Sequence, residues 1–388
     1  MFNNTKIAFI SKSDKDLKRA YFLFKTLSNT FLSKAGTLLT NIAISIKFPI
    51  NWIIKPTIYE HFVGGESIEE CSKTVGLLEK YKVRAILDYS VEGKESSADI
   101  QKALDETIMS IKNAGKDKNI PFAVFKPTAF ARAAILERAS LTDHLNSEEK
   151  EEAENFRKRV NILCQTAFDS DIPILIDAED SWFQNFVDEV VTEMMEKFNK
   201  EKAIVFNTLQ MYRHDRLEFL KTSLQKSIEG NYFLGMKFVR GAYMEKERLR
   251  AEKMNYSDPI QPNKEATDND YNAALKFSIE NIDRISIFNG THNEKSSKYL
   301  CELMQEHSLQ KNDKRIYFAQ LYGMSDHISF NSADAGYNVA KYVPYGPVKF
   351  VMPYLLRRAE ENTSVAGQTS IELELLQTEM QRRKNLKK

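Results

Sequence analysis

IPILIDAEDSWFQNFVDEVVTEMMEKFNKEKAIVFNTLQ, residues 172–210, contains the pattern that decides the fold of this 388-residue chain. Two short apolar runs, PILI near its start and AIVF near its end, have the continuous hydrophobicity of strands that are buried on both faces. The stretch between them, residues 181–199, carries apolar residues at helical spacing. A buried strand, an amphipathic helix and a second buried strand form the repeating unit of a parallel α/β sheet.

The same unit recurs, giving eight apolar runs separated by longer charged stretches. The runs begin at residues 83 (VRAILDYS), 121 (PFAVFKPT), 172, 202, 233 (FLGMKFVRGAY), 285 (ISIFNGTHN), 315 (RIYFAQLYG) and 338 (NVAKYVPYG). Eight units match a (βα)8 TIM barrel, which usually needs roughly 250 residues. A doubly wound open sheet would also alternate strands and helices, but no strand here is followed by the glycine-rich dinucleotide motif. We therefore predict an α/β fold of the TIM barrel type.

The barrel is expected to span residues 76–365, with a helical region on each side. Before it, residues 1–75 contain Ser67 and Glu70 in the arrangement of a capping box, and apolar residues at helical spacing: Phe22, Leu23, Leu27, Phe31 and Leu32. We expect this N-terminal region to cap the barrel; contact of its apolar surface with a membrane is the alternative. Residues 366–388 are expected to form a surface helix that ends in a solvated basic run, QRRKNLKK.

Composition narrows the classes of function. Fifty-five basic and 54 acidic residues leave the net charge near zero, which removes a general electrostatic reason to bind nucleic acid. The three cysteines lie far apart, fit no metal or redox spacing and suit a reducing compartment. The N-terminus lacks the apolar core of a signal peptide, and the nearest approach to a membrane span, Ala35 to Ile54, is interrupted by polar residues. We expect a cytoplasmic protein.

Polar residues follow every predicted strand, and ligands of TIM barrels bind at that end of the strands. The candidates are Asp88 and Glu92, Lys126, Asp177 and Glu179, Asn207 and Gln210, Lys237, Arg240 and Tyr243, Thr291, His292 and Asn293, Gln320, and Tyr342 and Tyr345. Any one of them could be an ordinary loop or capping residue. Polar residues at all eight strand ends predict a ligand site at the mouth of the barrel.

The stretch after the eighth strand, YVPYGPVKFVMPYLLRRAEEN (residues 342–362), is the most informative. Pro353 suits the first turn of a helix, and Tyr354, Arg357, Arg358 and Glu361 then lie on one face of it. Paired arginines bind a carboxylate in a bidentate manner. The alternative is a surface pair that forms salt bridges with the glutamates that follow.

Two further residues indicate the chemistry. Lys126 closes the strand sequence FAVFK, where burial of an unpaired ammonium is costly, so it should face a carboxylate or a cofactor. Asp177 closes ILID and could simply pair with Lys126. His292 is the one histidine in a plausible site, and the sequence shows no metal-ligand cluster, nucleophile elbow or P-loop. A carboxylate clamp and an acid without a nucleophile favour redox chemistry by a bound cofactor.

Several of these stretches resemble the proline dehydrogenases. The matching motifs are ILIDAED (174–180), VFNTLQMY (205–212), KFVRGAY (237–243), NGTHNE (289–294), QLYGMSD (320–326), YVPYGP (342–347) and PYLLRRAEEN (353–362). The resemblance covers roughly residues 60–365 and implies a distorted (βα)8 barrel with non-covalent FAD over the strand ends. It also implies oxidation of L-proline to Δ1-pyrroline-5-carboxylate, electron transfer to a quinone and peripheral membrane contact. A separate pyrroline-carboxylate dehydrogenase is expected to act on the product.

The resemblance also implies roles for individual residues. Asp177 and Lys237 belong to the catalytic centre, with Lys237 facing the reactive flavin nitrogen. The cofactor contacts are Ala178, Gln210, Lys237, Val239, Arg240, Gly241, Thr291, His292 and Glu361. The substrate contacts are Arg357 and Arg358 with Lys126 on the carboxylate, Tyr342 and Tyr354 on the ring, Leu321 as an apolar wall, Tyr243 at the flank, and Glu92, which pairs with Arg357 when the site closes.

Two departures from the family pattern, and several alternatives, accompany this interpretation. Many bacterial members have arginine at the position of Lys237 and tryptophan at that of Met244, so the electronics and shielding of the flavin are expected to differ.

A 4-hydroxyproline dehydrogenase is the nearest alternative function. Tyr342 disfavours it, because the tyrosine ring would crowd the substrate's hydroxyl group. A folate reductase is a second alternative among the flavin-binding barrels, but the arginine pair would have no obvious role in it. The remaining alternatives are a proline-sensing barrel without activity and a DNA-binding regulator.

Overall fold

The computed structural model describes residues 1–28, 54–90, 95–142, 144–364 and 368–387. The chain divides into two compact units, which we describe separately. The first unit consists of Met1–Ser90, Gln320–Ala335 and Lys341–Lys388, and the second unit consists of Val91–Ala319 and Gly336–Ala340.

All eight predicted strands are present, and they form one sheet with the order β1-β8-β7-β6-β5-β4-β3-β2. The strands are β1 Arg84–Tyr89, β2 Ala123–Phe125, β3 Ile174–Ile176, β4 Val205–Gln210, β5 Leu234–Val239, β6 Ile285–Gly290, β7 Ile316–Leu321 and β8 Val339–Tyr345. Neighbouring strands from β2 to β7 pair in parallel, for example Ala123 with Ile174 and Lys237 with Phe288. With helices between successive strands, this arrangement confirms the predicted (βα)8 barrel.

The strand sequences explain why the sheet forms. Every residue of β4 and of β8 is buried, as expected for parallel strands that are covered on both faces. Buried aromatic rings pack together within the second unit, where Phe122 contacts Phe206, Phe288 and Tyr317 at ring centroid distances of 4.9 to 5.5 Å. These contacts bury the apolar surface that stabilises the sheet.

Helices of the described residues connect and flank the strands. They are α1 Thr5–Ala8, α2 Asp14–Leu27, a π-helical turn Lys55–Tyr59, α3 Glu60–Phe62, α4 Ile68–Glu79, α5 Ser97–Ala114, a 3-10 turn Pro127–Ala129, α6 Ala133–Leu141, α7 Ser147–Asp169, α8 Ser181–Phe198, α9 Arg216–Glu229, α10 Met244–Met254, α11 Lys264–Glu280, α12 Glu294–Glu306, α13 Asp326–Asp334, α14 Val348–Ser364 and α15 Gln368–Asn385.

The N-terminal helices and the tail helix belong to the first unit and share a hydrophobic core there. This core contains Phe24 of α2, Phe62 of α3, Leu355 of α14 and Leu376 of α15. Phe22 has the predicted helical conformation, but it lies outside this core and is 73% exposed. The buried face of α2 is instead formed by Leu17, Ala20, Phe24 and Leu27. Phe31 and Leu32 lie outside the described residues.

Two predicted helix starts need correction. Ser67 does cap α4, where its hydroxyl accepts a hydrogen bond from the Glu70 backbone, but the Glu70 carboxylate accepts from the backbone N–H of Glu66. Pro353 does not lie in the first turn of its helix, because α14 begins at Val348 and the proline is inside it. Val348, Val351 and Met352 are buried in the first unit's core, so tertiary packing extends the helix toward its N-terminus.

No helix in the ranges that the structure describes is both long and apolar enough to cross a membrane. The apolar stretch from Ala35 to Ile54 lies outside those ranges, except for Ile54.

Candidate active site

Asp177, Lys126 and Lys237 form a buried charge cluster in the second unit, which we call the Asp177 cluster. Lys237 Nζ donates to Asp177 Oδ1 at 2.6 Å, and Lys126 Nζ lies 3.4 Å from Asp177 Oδ2. The carboxylate follows β3, Lys126 follows β2 and Lys237 lies in β5, so three strands position the cluster. Asp177 is 9% exposed and Lys237 is 6% exposed. Because isolated charges are costly to bury, the opposite charges of the cluster compensate one another.

The loop after Asp177 is fixed by buried hydrogen bonds. Glu179 accepts from the backbone N–H and the hydroxyl of Thr128, at 2.9 and 2.8 Å. Its backbone carbonyl accepts from Gln210 Nε2 at 2.7 Å. These contacts give Glu179 a structural role, and they orient both Ala178 and the Gln210 amide at the end of β4. The amide oxygen of Gln210 is buried and has no hydrogen-bond partner among the described residues.

Arg240 organises the end of β5. Its guanidinium donates to Asp268 Oδ1 and Thr291 Oγ1 at 2.7 Å each and to Ser296 Oγ at 2.9 Å, and it lies over the Tyr271 ring. Burial would raise the pKa of Asp268, but hydrogen bonding by Lys264 and the charge of Arg240 hold it below its ordinary value. The side chain is thereby fixed between the ends of β5 and β6.

Gly241 adopts a conformation that requires glycine. Its φ is +124°, and a Cβ there would lie 2.5 Å from the ring of Tyr212. The Tyr212 backbone N–H donates to Arg240 O at 2.8 Å, and that of Met211 donates to Val239 O at 2.8 Å. The backbone from Val239 to Gly241 is therefore held close against β4, and Gly241 itself is exposed.

Tyr243, Thr291 and His292 complete the candidates of the second unit. Tyr243 precedes α10, and Lys246 Nζ lies 5.6 Å from the centre of its ring. Thr291 is buried directly after β6, and its hydroxyl accepts from the Asn293 backbone at 3.1 Å. His292 is partly buried in the same turn.

The first unit contains the candidates on β7, β8 and α14. Tyr342 lies in β8 and is buried, and Leu321 closes β7. On α14, Arg358 is 6% exposed and lies over the Tyr354 ring at 5.1 Å, whereas Arg357 is partly exposed. Burial of Arg358 argues against the alternative of a simple surface pair. Glu92 lies outside the described residues, and so does the side chain of Glu361.

Sequence reasoning missed three residues that shape the second unit's site. They are Asp268 and Tyr271 of α11, which contact Arg240, and Tyr212, which supports Gly241. Tyr212 could have been found, because it closes the family motif VFNTLQMY. Asp268 and Tyr271 carry no such signal, because they lie on a helix about 30 residues away from their partner and repeat no motif.

The chain is similar to proteins of one family. The family model described as "Proline dehydrogenase" matches residues 71–371. The carbapenem antibiotics biosynthesis protein CarD of Pectobacterium carotovorum is 35% identical over 83% of each chain. Mitochondrial proline dehydrogenase 1 of Drosophila melanogaster is 39% identical over 63% of this chain and 37% of its own length. Mitochondrial proline dehydrogenase 2 of Arabidopsis thaliana is 33% identical over 85% of this chain and 79% of its own.

Solved structures share the fold. Proline utilization A from Bdellovibrio bacteriovorus, inactivated by N-propargylglycine, aligns with a TM-score of 0.74 at 21% identity, over 95% of this chain and 40% of that protein. A variant of proline utilization A from Bradyrhizobium japonicum aligns with a TM-score of 0.67, over 82% of this chain and 33% of that protein. This chain thus spans well under half the length of these two proteins.

Proposed function

The chain belongs to the proline dehydrogenase family, and on that premise we propose that it oxidises L-proline to Δ1-pyrroline-5-carboxylate with FAD. Enzymes of this family are FAD-dependent. The observation that carries the proposal is the Asp177 cluster, since a buried acid held by two lysines lies within the matched region. All the other candidate residues, from Glu92 to Glu361, also lie within residues 71–371.

The residues present fit an FAD cofactor. Gln210 offers a buried amide oxygen that no described residue occupies, as expected of a group that awaits a donor on a ligand. We assign it to the isoalloxazine ring, with the partly buried Val239 and the exposed Gly241 beside it and Ala178 following. Arg240, Thr291 and His292 would bind the polar chain and phosphates, for which a guanidinium and a hydroxyl are suited. Glu361 is proposed as a further contact.

The remaining residues bind and orient proline. When bound, FAD would be the oxidant that accepts a hydride from the ring carbon next to nitrogen, while loss of the amine proton completes the C=N bond of the product. Arg357 and Arg358 hold the substrate carboxylate in a bidentate manner with Lys126 as a third cation. Positioning of the reacting atoms to about 3–3.5 Å accounts for much of the rate enhancement.

Apolar and acidic groups complete the proposed site. Tyr342, Tyr354 and Leu321 pack on the proline ring, with Tyr243 at its flank. Asp177 keeps the Lys237 side chain fixed where negative charge develops on reduction. Glu92 pairs with Arg357 on closure. We further propose that a quinone is the electron acceptor. The protein would be cytoplasmic and would reach the quinone by peripheral contact with the inner face of a membrane. A separate pyrroline-carboxylate dehydrogenase would act on the product.

The proposal is tested by the visible spectrum of the purified protein under anaerobic conditions. A bound-flavin spectrum that bleaches with L-proline, but not comparably with 4-hydroxyproline, is the expected result. A flavin that stays oxidised with L-proline would contradict the assigned activity. Lack of flavin binding, even with added FAD, would contradict the cofactor assignment.

The arginine assignment has its own test. Arg358→Met should raise the proline KM about 100-fold or more, because one bidentate charged contact is worth roughly 3 kcal/mol, while FAD stays bound. Arg138→Met is the matched control, since Arg138 lies on α6 with a half-exposed side chain paired to Glu149. An unchanged KM in Arg358→Met would remove the carboxylate role.

A further inference from the structure

The loop that joins β7 to α13, Leu321 to Asp326, has an unusually constrained backbone; we call it the β7 loop. Gly323 has a φ of +80°, and a Cβ there would lie 2.3 Å from the carbonyl oxygen of His61. Ser325 also has a positive φ, +50°, which a residue with a side chain seldom adopts. A loop in this conformation needs contacts that compensate for the strain.

His61 supplies one of these contacts. Its Nε2 lies 2.9 Å from the carbonyl oxygen of Gly323. Burial lowers the pKa of His61 to about 3, so the ring is neutral at ordinary pH. Because a carbonyl only accepts, the proton of the neutral ring lies on Nε2, and the histidine donates to the loop.

The strongest contacts converge on Asp326, at the end of the loop. Lys341 of β8 lies 2.8 Å from Oδ1, and Lys12, near the N-terminus, lies 3.2 Å from Oδ2. Lys341 is fully buried and also donates to the carbonyl oxygen of Met324. From the tail helix α15, the buried Glu372 accepts a hydrogen bond from the Ser325 backbone at 2.6 Å. We call Asp326, Lys12, Lys341 and Glu372 the Asp326 anchor.

The β7 loop is also packed against the helix that carries the arginine pair. Met324 belongs to the same buried hydrophobic core as Tyr354 and Leu355 of α14, and Leu321 packs against that core. Because protein cores are densely packed and transmit displacements, whatever fixes the loop also fixes the adjacent turns of α14. The anchor is therefore linked to residues proposed to bind substrate by a continuous set of contacts within the first unit.

An electrostatic anchor of this kind is a poor way to gain stability. Desolvation of buried charges offsets much of their attraction, and well-packed apolar residues often serve equally well. The arrangement does fix the position of the loop, because the two ammonium groups and the carboxylate contact one another in only one loop conformation. Its partners come from both ends of the chain, residues 12 and 372, and from β8.

We propose that Asp326 is a positioning residue for proline binding, which fixes Leu321 and the Tyr354–Arg358 face of α14 through the β7 loop. Through Lys12 and Glu372, the segment between α1 and α2 and the tail helix α15 also contribute to positioning the site. This inference rests on the proposed function. Asp326 itself contacts no substrate. Its removal should weaken binding without removing the flavin, whose proposed contacts belong mainly to the second unit.

The test separates positioning from stability by comparing Asp326→Asn with the double variant Asp326→Asn/Lys341→Met. The double variant removes the buried cation that the single variant leaves without its carboxylate, so it should regain much of the lost Tm. Ligand affinity is measured from the perturbation of the flavin spectrum by L-tetrahydrofuran-2-carboxylate, a proline analogue whose ring oxygen prevents oxidation to an imine. In both variants we expect the Kd to rise about tenfold or more, equivalent to roughly 1.4 kcal/mol, with flavin content unchanged.

Two further variants keep the inference falsifiable. Lys12→Met removes a partly buried cation from the edge of the anchor and should raise the Kd about threefold with little loss of Tm. Asp188→Asn/Arg216→Met replaces a comparably buried pair of the second unit, 2.7 Å apart, and should leave the Kd within about twofold of wild type. Wild-type affinity in the Asp326→Asn/Lys341→Met variant would overturn the inference.

The proposed function can fail independently of this inference. Absence of flavin bleaching by L-proline in the wild-type protein rejects the activity, whereas analogue affinities still report on the loop. If wild-type protein is reduced by proline and the anchor variants bind the analogue normally, the activity stands and the positioning role is wrong.

Discussion

At the scale of single residues, burial decides which charges matter. Asp177 lies between two lysines with little exposure, whereas Asp171 forms an exposed pair with Lys202, with side-chain exposures of 75% and 58%. Asp177→Asn should therefore destabilise the protein by about 3 kcal/mol. Asp171→Asn is the matched control and should cost about 1 kcal/mol or less. Equal changes in urea midpoint for the two variants would contradict this account.

Alanine substitutions at two glycines should change the stability of the protein in opposite directions. Gly241→Ala should cost about 1–3 kcal/mol and weaken flavin retention, because it forces a Cβ into the Tyr212 ring at a φ of +124°. Gly76 lies in the interior of α4, where an added Cβ would meet no atom within 4 Å. Gly76→Ala should thus stabilise the protein by about 0.5–1 kcal/mol. Thermal melts and flavin absorbance of both variants measure these effects, and a stabilised Gly241→Ala protein would be inconsistent with the close approach.

The candidate site could be predicted from the sequence only in part. Lys126 and Asp177 were predictable as a pair because each ends an apolar strand, and parallel strand ends meet at one edge of a sheet. Lys237 was a strand-end candidate, but its place in the catalytic centre followed only from the family resemblance, and its contact with Asp177 was not predicted. Asp326 closes the motif QLYGMSD, but nothing in the sequence indicated its partners. No periodicity or motif couples residues 12, 326, 341 and 372, so only the folded chain reveals them.

At the scale of elements, strands were easier to predict than helices. All eight apolar runs are strands, although β2 and β3 are only three residues long. Helix α10 was not predicted, because its buried face consists of Glu247 and Ala251 while Leu249 and Met254 are exposed. Glu247 accepts a hydrogen bond from the Ser181 backbone at 2.7 Å, a tertiary contact that no local pattern encodes. Hydrophobic spacing identifies only helices that bury an apolar face.

The tail helix α15 contains a buried carboxylate, Glu379, that is paired with two arginines. The predicted solvation of its whole basic run is wrong, since Arg382 and Arg383 donate to the fully buried Glu379 at 2.7 Å each. Burial alone would raise the pKa of Glu379, but these arginines lower it to about 2. Its stabilising contribution is present above the ordinary pKa near 4.5 and is lost as the pH falls toward about 2.

Glu379→Gln should therefore remove part of the acid sensitivity of unfolding. We expect a loss of about 3 kcal/mol at pH 7 and a flatter dependence between about pH 4.5 and 2 than in wild type. Urea unfolding at several pH values measures both quantities. A wild-type acid slope in this variant would show that the arginines do not hold the carboxylate.

At the scale of the whole molecule, the near balance of 55 basic and 54 acidic residues gives little general charge repulsion at neutral pH. The pH dependence of stability should then be set by a few buried groups. Glu372 is one, because burial and the neighbouring Asp326 raise its pKa to about 7 although Lys341 and Lys12 oppose the shift. Raised and lowered carboxyl pKa values act in opposite directions on stability, which makes their contributions separable by pH.

The folded protein takes up a proton on Glu372 at a pH where the unfolded chain has already lost it. This group therefore contributes stability below pH 4.5 that is lost as the pH rises to about 7, on the order of 3 kcal/mol. Glu372→Gln mimics the protonated form and still accepts from the Ser325 backbone. Relative to wild type, this variant should be more stable at about pH 8 and nearly equal at about pH 4.5.

Glu374→Gln, an exposed change on the same helix, is the matched control and should leave the pH profile unaltered. Urea unfolding of both variants across this pH range measures the difference. The free energy of unfolding of the Glu372→Gln variant could instead change with pH as in wild type between about pH 4.5 and 7. In that case Glu372 of the Asp326 anchor would not cause the pH dependence of stability in this range.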